Sequence, residues 1–287
     1  MQHIMLGLGL IKVIAMGIVQ GLSEFLPISS SAHFVFTSHI IQMISHNPIP
    51  EDSSYDIVLS MMLHIGTLVA VFIFFWKDII EIWNALIDGI KTKNYSDYNT
   101  QLGLYIILGT VITIIVALFF DNAAERLMDT PAVVGVLLIV TGGMLLGAEK
   151  YSDRLPEKSE KVSTKTAIIM SIAQGLAALP GFSRSGWTIA SGMFTNVSRV
   201  ACARYSFLLS VPIILGASVV YPLKEVKMAE LVTYNWTYIL IGTVVSAIVG
   251  YICIKYFLEF LSKYSLRVFA YYCFVAGIVA ALLFTFV

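Results

Sequence analysis

The chain has 287 residues, 58% of them hydrophobic and 13% charged, and its eighteen basic and eighteen acidic side chains cancel. Soluble domains carry about 25% charged residues, and net charge is what keeps them apart in water. The composition therefore excludes an ordinary soluble domain, a disordered chain and a nucleic-acid binder with a basic surface, and leaves an integral membrane protein. Cys202, Cys253 and Cys273 form no CxxC or CxxH spacing and read as apolar packing residues. The first residues, Met1-Gln2-His3-Ile4, lack the basic start of a signal peptide, so the N-terminus is expected to be retained.

In chain order, the first element is an apolar region over about 4–44, broken by Pro27 and by Ser29, Ser30 and Ser31. Three stretches long enough to span a bilayer follow, at roughly 57–76, 102–120 and 132–148. A second broken region covers 166–200, interrupted at Pro180-Gly181 with Ser183 and Ser185, and three more spans follow at about 205–221, 237–257 and 267–287. Irregular backbone at membrane depth is tolerated only inside protein or beside a watery cavity. Both broken regions are accordingly read as re-entrant helical hairpins. The expected fold is all-α, a single polytopic domain over 1–287 with six transmembrane helices.

The two broken regions are related. Gln20–Ala32 (QGLSEFLPISSSA) aligns without gaps on Gln174–Gly186 (QGLAALPGFSRSG). Each precedes three spans, and an odd number of spans inverts the second copy. The expected plan is an inverted-topology repeat with halves 1–148 and 166–287 joined by a cytoplasmic loop over 149–165. Basic residues agree: thirteen fall on the side of Lys77, Lys150 and Lys255, and only Arg126, Lys224 and Lys227 on the other. The positive-inside rule then puts both termini, and 45–56, 121–131 and 222–236, outside.

Glu24 and Arg184 lie within the broken regions, and Lys12 sits near a helix end with no role assigned. Almost every other carboxylate sits in a loop or at a span end. An ionisable group in the bilayer costs about 2.5–3.5 kcal/mol even on lenient scales, so function is the default reading. The blander reading is a structural ion pair between Glu24 and Arg184. Gln20 shares a helix face with Glu24, and Ser30 with His33. The serine-rich turn offers hydroxyls and free backbone N–H groups to an anion. In PGFSRSGWT, Arg184 sits among Ser183, Ser185 and Thr188, and a guanidinium suits phosphate oxygens. The indicated chemistry is phosphoryl transfer. Arg184 and the hydroxyls of Ser29, Ser31, Ser183, Ser185 and Thr188 hold phosphate. Glu24 with Gln20 binds a divalent cation, Mg²⁺ or Ca²⁺. Ser30 or His33 is the nucleophile and the other its acid/base partner, a choice the sequence leaves open.

QGLSEFLPISSSAH and PGFSRSGWT resemble the two signature motifs of the undecaprenyl-diphosphate phosphatases, the bacitracin-resistance membrane family. The likeness extends to LHIGTLVAVFIFFWKDI (63–79), TGGMLLGAEK (141–150) and ARYSFLLSVPIILGA (203–217). The resemblance implies hydrolysis of undecaprenyl diphosphate to the monophosphate and inorganic phosphate, recycling the lipid carrier for cell-wall synthesis. It also implies metal dependence, a bacterial plasma-membrane location and a site open to the outer face. It puts the acidic motif on Gln20 and Glu24, the motif serine on Ser30, the histidine on His33 and the phosphate-binding arginine on Arg184. His64, in an H-x-G-T stretch, either assists or packs. Three positions depart from the family pattern: Gln20 where Glu is common, Ala32 where Gly is usual and Trp187 where Ala is usual. Trp187 is expected to narrow the pocket or to stack on the lipid chain.

Two other readings compete. An acid-phosphatase-type enzyme needs a histidine six residues after the arginine, where this chain has Ala190. A lipid-phosphate transporter or flippase would use broken helices and the same anion site. The partners expected are a polyprenyl diphosphate lipid and the bilayer, with no nucleic acid. Composition does not fix the oligomeric state, and a homodimer is compatible with it.

Overall fold

A computed structural model describes residues 2–45, 53–225, 231–232 and 234–285. The expected external stretches 45–56 and 222–236 lie partly outside the described residues. Among those residues the chain forms eleven helices and one isolated bridge between Ser159 and Val197. The first six are α1 (Gln2–Ser23), α2 (Ser30–Ser45), α3 (Ser53–Phe74), α4 (Trp76–Thr92), α5 (Tyr98–Met128) and α6 (Pro131–Ser152). The remaining five are α7 (Thr164–Leu176), α8 (Arg184–Met193), α9 (Arg199–Glu225), α10 (Trp236–Lys263) and α11 (Arg267–Thr285). The all-α expectation holds.

All six expected spans are present. Tyr55–Phe74, Tyr98–Met128, Pro131–Ser152, Arg199–Val220, Trp236–Lys263 and Arg267–Thr285 are long and apolar enough to cross a membrane. The chain is a multi-pass membrane protein. Several helices outrun their apolar stretches because polar ends keep helical geometry. Asp97 caps α5 by accepting from the Thr100 N–H at 2.9 Å, and the helix then runs 31 residues to Met128. That is about 46 Å at 1.5 Å per residue, against a hydrocarbon core of about 30 Å.

The segment after the first span, expected to be a loop, contains α4. Ile82, Leu86 and Gly89 are its buried face. Trp76, Ile80, Trp83 and Ile90 are exposed and recur at helical spacing on another face. Counting long apolar runs passes over such a helix, because its hydrophobic residues are interleaved with charges.

Both broken regions are two helices joined by a tight turn. In the first, α1 stops at Ser23 and the chain turns through Pro27 to Ser29, whose φ of 69° is left-handed. In the second, Gly181 has a φ of +96°, and its carbonyl accepts from the Thr141 hydroxyl at 3.0 Å. At 13 and 10 residues, α7 and α8 measure about 20 and 15 Å, each too short to span a bilayer alone.

Helix packing relies on small residues, as expected where lipid tails are as apolar as leucine. A Cβ on Gly21 of α1 would stand 2.9 Å from the Ser246 carbonyl of α10, and one on Gly66 of α3 2.4 Å from the Thr243 carbonyl. Thus α1 and α3 both press against α10. On the other side α7 packs on α5, where the Thr113 hydroxyl donates to the Ser171 carbonyl at 3.1 Å. A fourth close pair is α6 with α11.

Polar anchoring corrects one expectation. Glu24 is not the lone buried carboxylate: Glu149 is fully buried near the end of α6. It accepts from Arg199 Nε at 2.7 Å and from Arg199 Nη2 at 2.5 Å. It also accepts from the Leu266 backbone N–H at 2.7 Å. One carboxylate thereby ties α6 to the starts of α9 and α11. Lys12, left without a role, pairs with Asp56 in the first turn of α3 at 3.1 Å. The three cysteines are buried free thiols.

Candidate active site

The two turns meet at Glu24. Its Oε1 accepts from Arg184 Nη2 at 2.6 Å. Its Oε2 accepts from Gln20 Nε2 and from the Ser30 hydroxyl, both at 2.9 Å. His64 Nε2 lies 3.5 Å from the same oxygen. The carboxylate is 5% exposed and Arg184 17%, so the pair is nearly sealed and water screens it weakly. Beneath it, Phe25 is wholly buried and meets Phe207 edge to face at 5.3 Å. That apolar floor fixes the turn carrying Glu24.

The two motifs fold the same way at matched positions. Ser29 and Ser183 each precede a helix and cap it, accepting from Ala32 N at 3.3 Å and from Gly186 N at 3.1 Å. Each capping hydroxyl contacts the serine two residues on, Ser31 at 3.1 Å and Ser185 at 3.3 Å. Ser30 and Arg184 are then the equivalent first residues of α2 and α8. Both point to Glu24. Two helix N-termini, with their partial positive charge, are brought to one place together with a guanidinium. The Ser185 hydroxyl donates to the Leu26 carbonyl at 3.0 Å and ties one turn to the other.

Arg184 is held from below. Its Nη1 donates to the Ser206 carbonyl of α9 at 3.4 Å. Thr188 donates to the Arg184 carbonyl at 2.8 Å and pairs with the Ser206 hydroxyl at 2.5 Å. Thr188 is wholly buried, so its hydroxyl supports the arginine's helix. Of the expected phosphate-binding residues, Ser29, Ser31, Ser183 and Ser185 line the two helix starts, with Thr188 one turn deeper.

His33 turns toward α11, away from the Glu24 carboxylate. Its Nδ1 is 2.8 Å from the Ser29 carbonyl and its Nε2 is 2.6 Å from the Tyr272 hydroxyl. His64 Nδ1 is 2.8 Å from the Ser60 carbonyl, which leaves Nε2 facing Glu24. His64 is thus a member of the carboxylate cluster and not only a packing residue. Trp187 stacks on Phe182, with ring centroids 4.2 Å apart, and its indole N–H donates to Thr141 at 3.1 Å.

Chemically the arrangement joins a hydroxyl, a carboxylate within proton-transfer reach of it and a cationic fork beside both. The structure brings Gln20, Glu24, Ser30 and Arg184, all singled out in the sequence, to one place. Sequence reasoning missed Ser206 and Tyr272. Ser206 lies inside one of the co-linear motif stretches, which was a signal. Tyr272 gave none.

The comparisons with known proteins give the family. The profile of the family described as Bacitracin resistance protein BacA matches residues 13–279. A relative named undecaprenyl-diphosphatase from Halothermothrix orenii is 40% identical, the alignment covering 95% of this chain and 97% of that one. One of the same name from Methanosphaera stadtmanae is 37% identical, covering 96% and 98%. Another from Renibacterium salmoninarum is 36% identical over 96% of each chain. The match spans both turns and every helix that contributes to the site, and the chain belongs to the BacA bacitracin resistance protein family.

Proposed function

We propose that this chain hydrolyses undecaprenyl diphosphate to undecaprenyl phosphate and inorganic phosphate within the membrane, recycling the lipid carrier for cell-wall synthesis. The observation that carries the reading is the meeting of Ser30 and Arg184 on the two oxygens of Glu24. The diphosphate takes Arg184 and the two helix N-termini as its anion site. Ser30 Oγ attacks the terminal phosphorus while Glu24 accepts its proton. The P–O bond to the bridging oxygen breaks, and undecaprenyl phosphate leaves. Water then hydrolyses the phosphoserine, releasing inorganic phosphate. His33 is the second acid/base group, one turn along α2. Arg184 neutralises charge that grows on the phosphoryl oxygens in the transition state.

The family resemblance implies a divalent cation. Among the described residues no group of three His, Cys, Asp or Glu side chains is placed to hold a metal ion. One carboxylate and one amide do fit an ion that brings most of its ligands as water and phosphate oxygens, as Mg²⁺ does. Glu24 would hold it, with Gln20 once its amide is turned. Bound there, the ion supplies positive charge to the diphosphate oxygens.

The same reading includes an inverted repeat with halves 1–148 and 166–287. The matched caps support it. So does the packing of each half's first helix on the other half's span, α1 on α10 and α7 on α5. His64 lies halfway along Tyr55–Phe74, which supports a re-entrant site near the midplane. The basic-residue asymmetry supports termini on the outer side, with the site opening there. A pure transporter is not favoured, because binding alone needs no hydroxyl hydrogen-bonded to a carboxylate.

Phosphate release from a long-chain polyprenyl diphosphate by purified protein in detergent, with and without chelator, tests the proposal. The expected result is chelator-sensitive release. No release under any divalent cation, together with lipid-phosphate movement in vesicles, would replace the phosphatase with the transporter.

A further inference from the structure

We infer that Tyr272 is a positioning residue for His33, an inference that rests on the phosphatase reading. The two residues are 239 positions apart and meet where α11 crosses the start of α2. The Ser29 carbonyl can only accept, so the proton on the His33 ring sits on Nδ1, 2.8 Å away. In the neutral ring Nε2 is then a lone pair, and the Tyr272 O–H donates to it at 2.6 Å. The two rings also stack, with centroids 5.6 Å apart and planes inclined by 14°.

Neighbouring contacts keep α11 in register. The Cys273 thiol donates to the Pro27 carbonyl at 3.5 Å, inside the same turn. Phe36 lies 6.2 Å from the His33 ring on its own helix. The imidazole is therefore fixed at both nitrogens and on one face. Its acceptor nitrogen is covered by a phenol that is itself 44% exposed. The phenol's O–H and its stacked ring hold the plane and rotation of the imidazole while Nε2 keeps its lone pair. A histidine that acts in proton transfer must present one particular nitrogen, and the group on the other side of the ring sets which.

A packing role alone predicts that phenylalanine replaces Tyr272 without loss, since the stacked ring is kept. The test uses full-length protein and four forms: wild type, Tyr272→Phe, His33→Gln and the double variant. The readouts are kcat and KM for polyprenyl diphosphate hydrolysis, and histidine ¹⁵N spectra in which His33→Gln identifies the His33 signals. For one lost hydrogen bond to a working group, Tyr272→Phe is expected to lower kcat by about tenfold with KM nearly unchanged. It is also expected to shift the His33 Nε2 signal. The double variant is expected to match His33→Gln, because the tyrosine acts only through the histidine. Wild-type kcat and ¹⁵N signals in Tyr272→Phe would overturn the inference. So would an equal loss in both His33 backgrounds. Inactive wild-type protein would instead remove the phosphatase reading and this inference with it.

Discussion

Ser30 and Arg184 each open a short helix directly after a capping serine, and each bonds a different oxygen of Glu24. Matched positions of two related motifs thus supply two unlike functions, a hydroxyl and a guanidinium, to one carboxylate. Glu24 does two jobs that conflict in water. It neutralises Arg184 in the resting site, and it stays within reach of the Ser30 proton. On the proposed reading, phosphate oxygens take over the guanidinium and the carboxylate becomes free to act as a base.

Comparing loss of one charge with loss of both should therefore separate stability from catalysis. Arg184→Ala is expected to abolish phosphate release and also to destabilise the fold, by about 3–5 kcal/mol for an uncompensated buried charge. The double variant Glu24→Gln/Arg184→Gln leaves no unpaired charge. It should recover most of the lost stability while staying inactive. Thermal unfolding in detergent alongside the release assay checks both. Recovery of activity together with stability would mean that the pair is only structural.

Ser30 is expected to become covalently phosphorylated during turnover. Quenching wild-type protein in dodecyl sulfate at neutral pH, which preserves both phosphoserine and phosphohistidine, with terminally ³²P-labelled substrate should trap label on protein, and Ser30→Ala should trap none. Glu24→Gln keeps the hydrogen-bonding shape but loses the base, and a general base contributes about 10²–10⁴-fold. It should lower kcat within that range and leave KM close to wild type. Label recovered on His33 would reverse the roles of the two residues.

How much of this was legible in the sequence depended on distance along the chain. The six spans were, because a run of apolar residues is a local signal. So were Glu24 and Arg184, since a charge within an apolar stretch stands out without knowledge of its neighbours. Helix α4 was not, although Ile82 and Leu86 on one face and Ile80 and Trp83 on another carry helical periodicity. Its charges kept it out of any long apolar run. Tyr272 was beyond reach. Its proposed role comes from a contact across 239 positions, and a tyrosine in a span is ordinary in composition. The burial of Glu149 was hidden for a related reason. It sits where an apolar run ends, and only the tertiary meeting of α6, α9 and α11 covers it.

Gln20 offers a test of metal dependence, read on the folded fraction of the protein. It already lies 2.9 Å from Glu24. Gln20→Glu would give a divalent cation a second carboxylate, and ligand charge tunes affinity in oxygen-ligand sites. The Mg²⁺ concentration giving half-maximal activity is expected to fall severalfold, with maximal kcat changed little. A midpoint that stays put or rises would place the ion away from this pair.

Glu149 and Arg199 form the contrasting case, a buried pair whose hydrogen bonds and ion pairs include no member of the Glu24 cluster. Glu149 accepts from Arg199 through both oxygens and holds the Leu266 N–H as well. Glu149→Gln keeps one acceptor but leaves Arg199 without full charge compensation. A loss of about 3 kcal/mol is the expected scale for breaking such a pair from one side. The consequence should be confined to stability: a lower unfolding temperature and a reduced yield of folded protein, with KM unchanged and kcat per folded molecule near wild type. Arg199→Met with Glu149→Met removes both charges and should restore part of the stability, since similar-sized apolar side chains often replace a buried pair at little cost. If Glu149→Gln instead lowered kcat of the folded fraction more than tenfold, the pair would be coupled to the site through α9. That helix carries Ser206 beneath Arg184 and begins at Arg199.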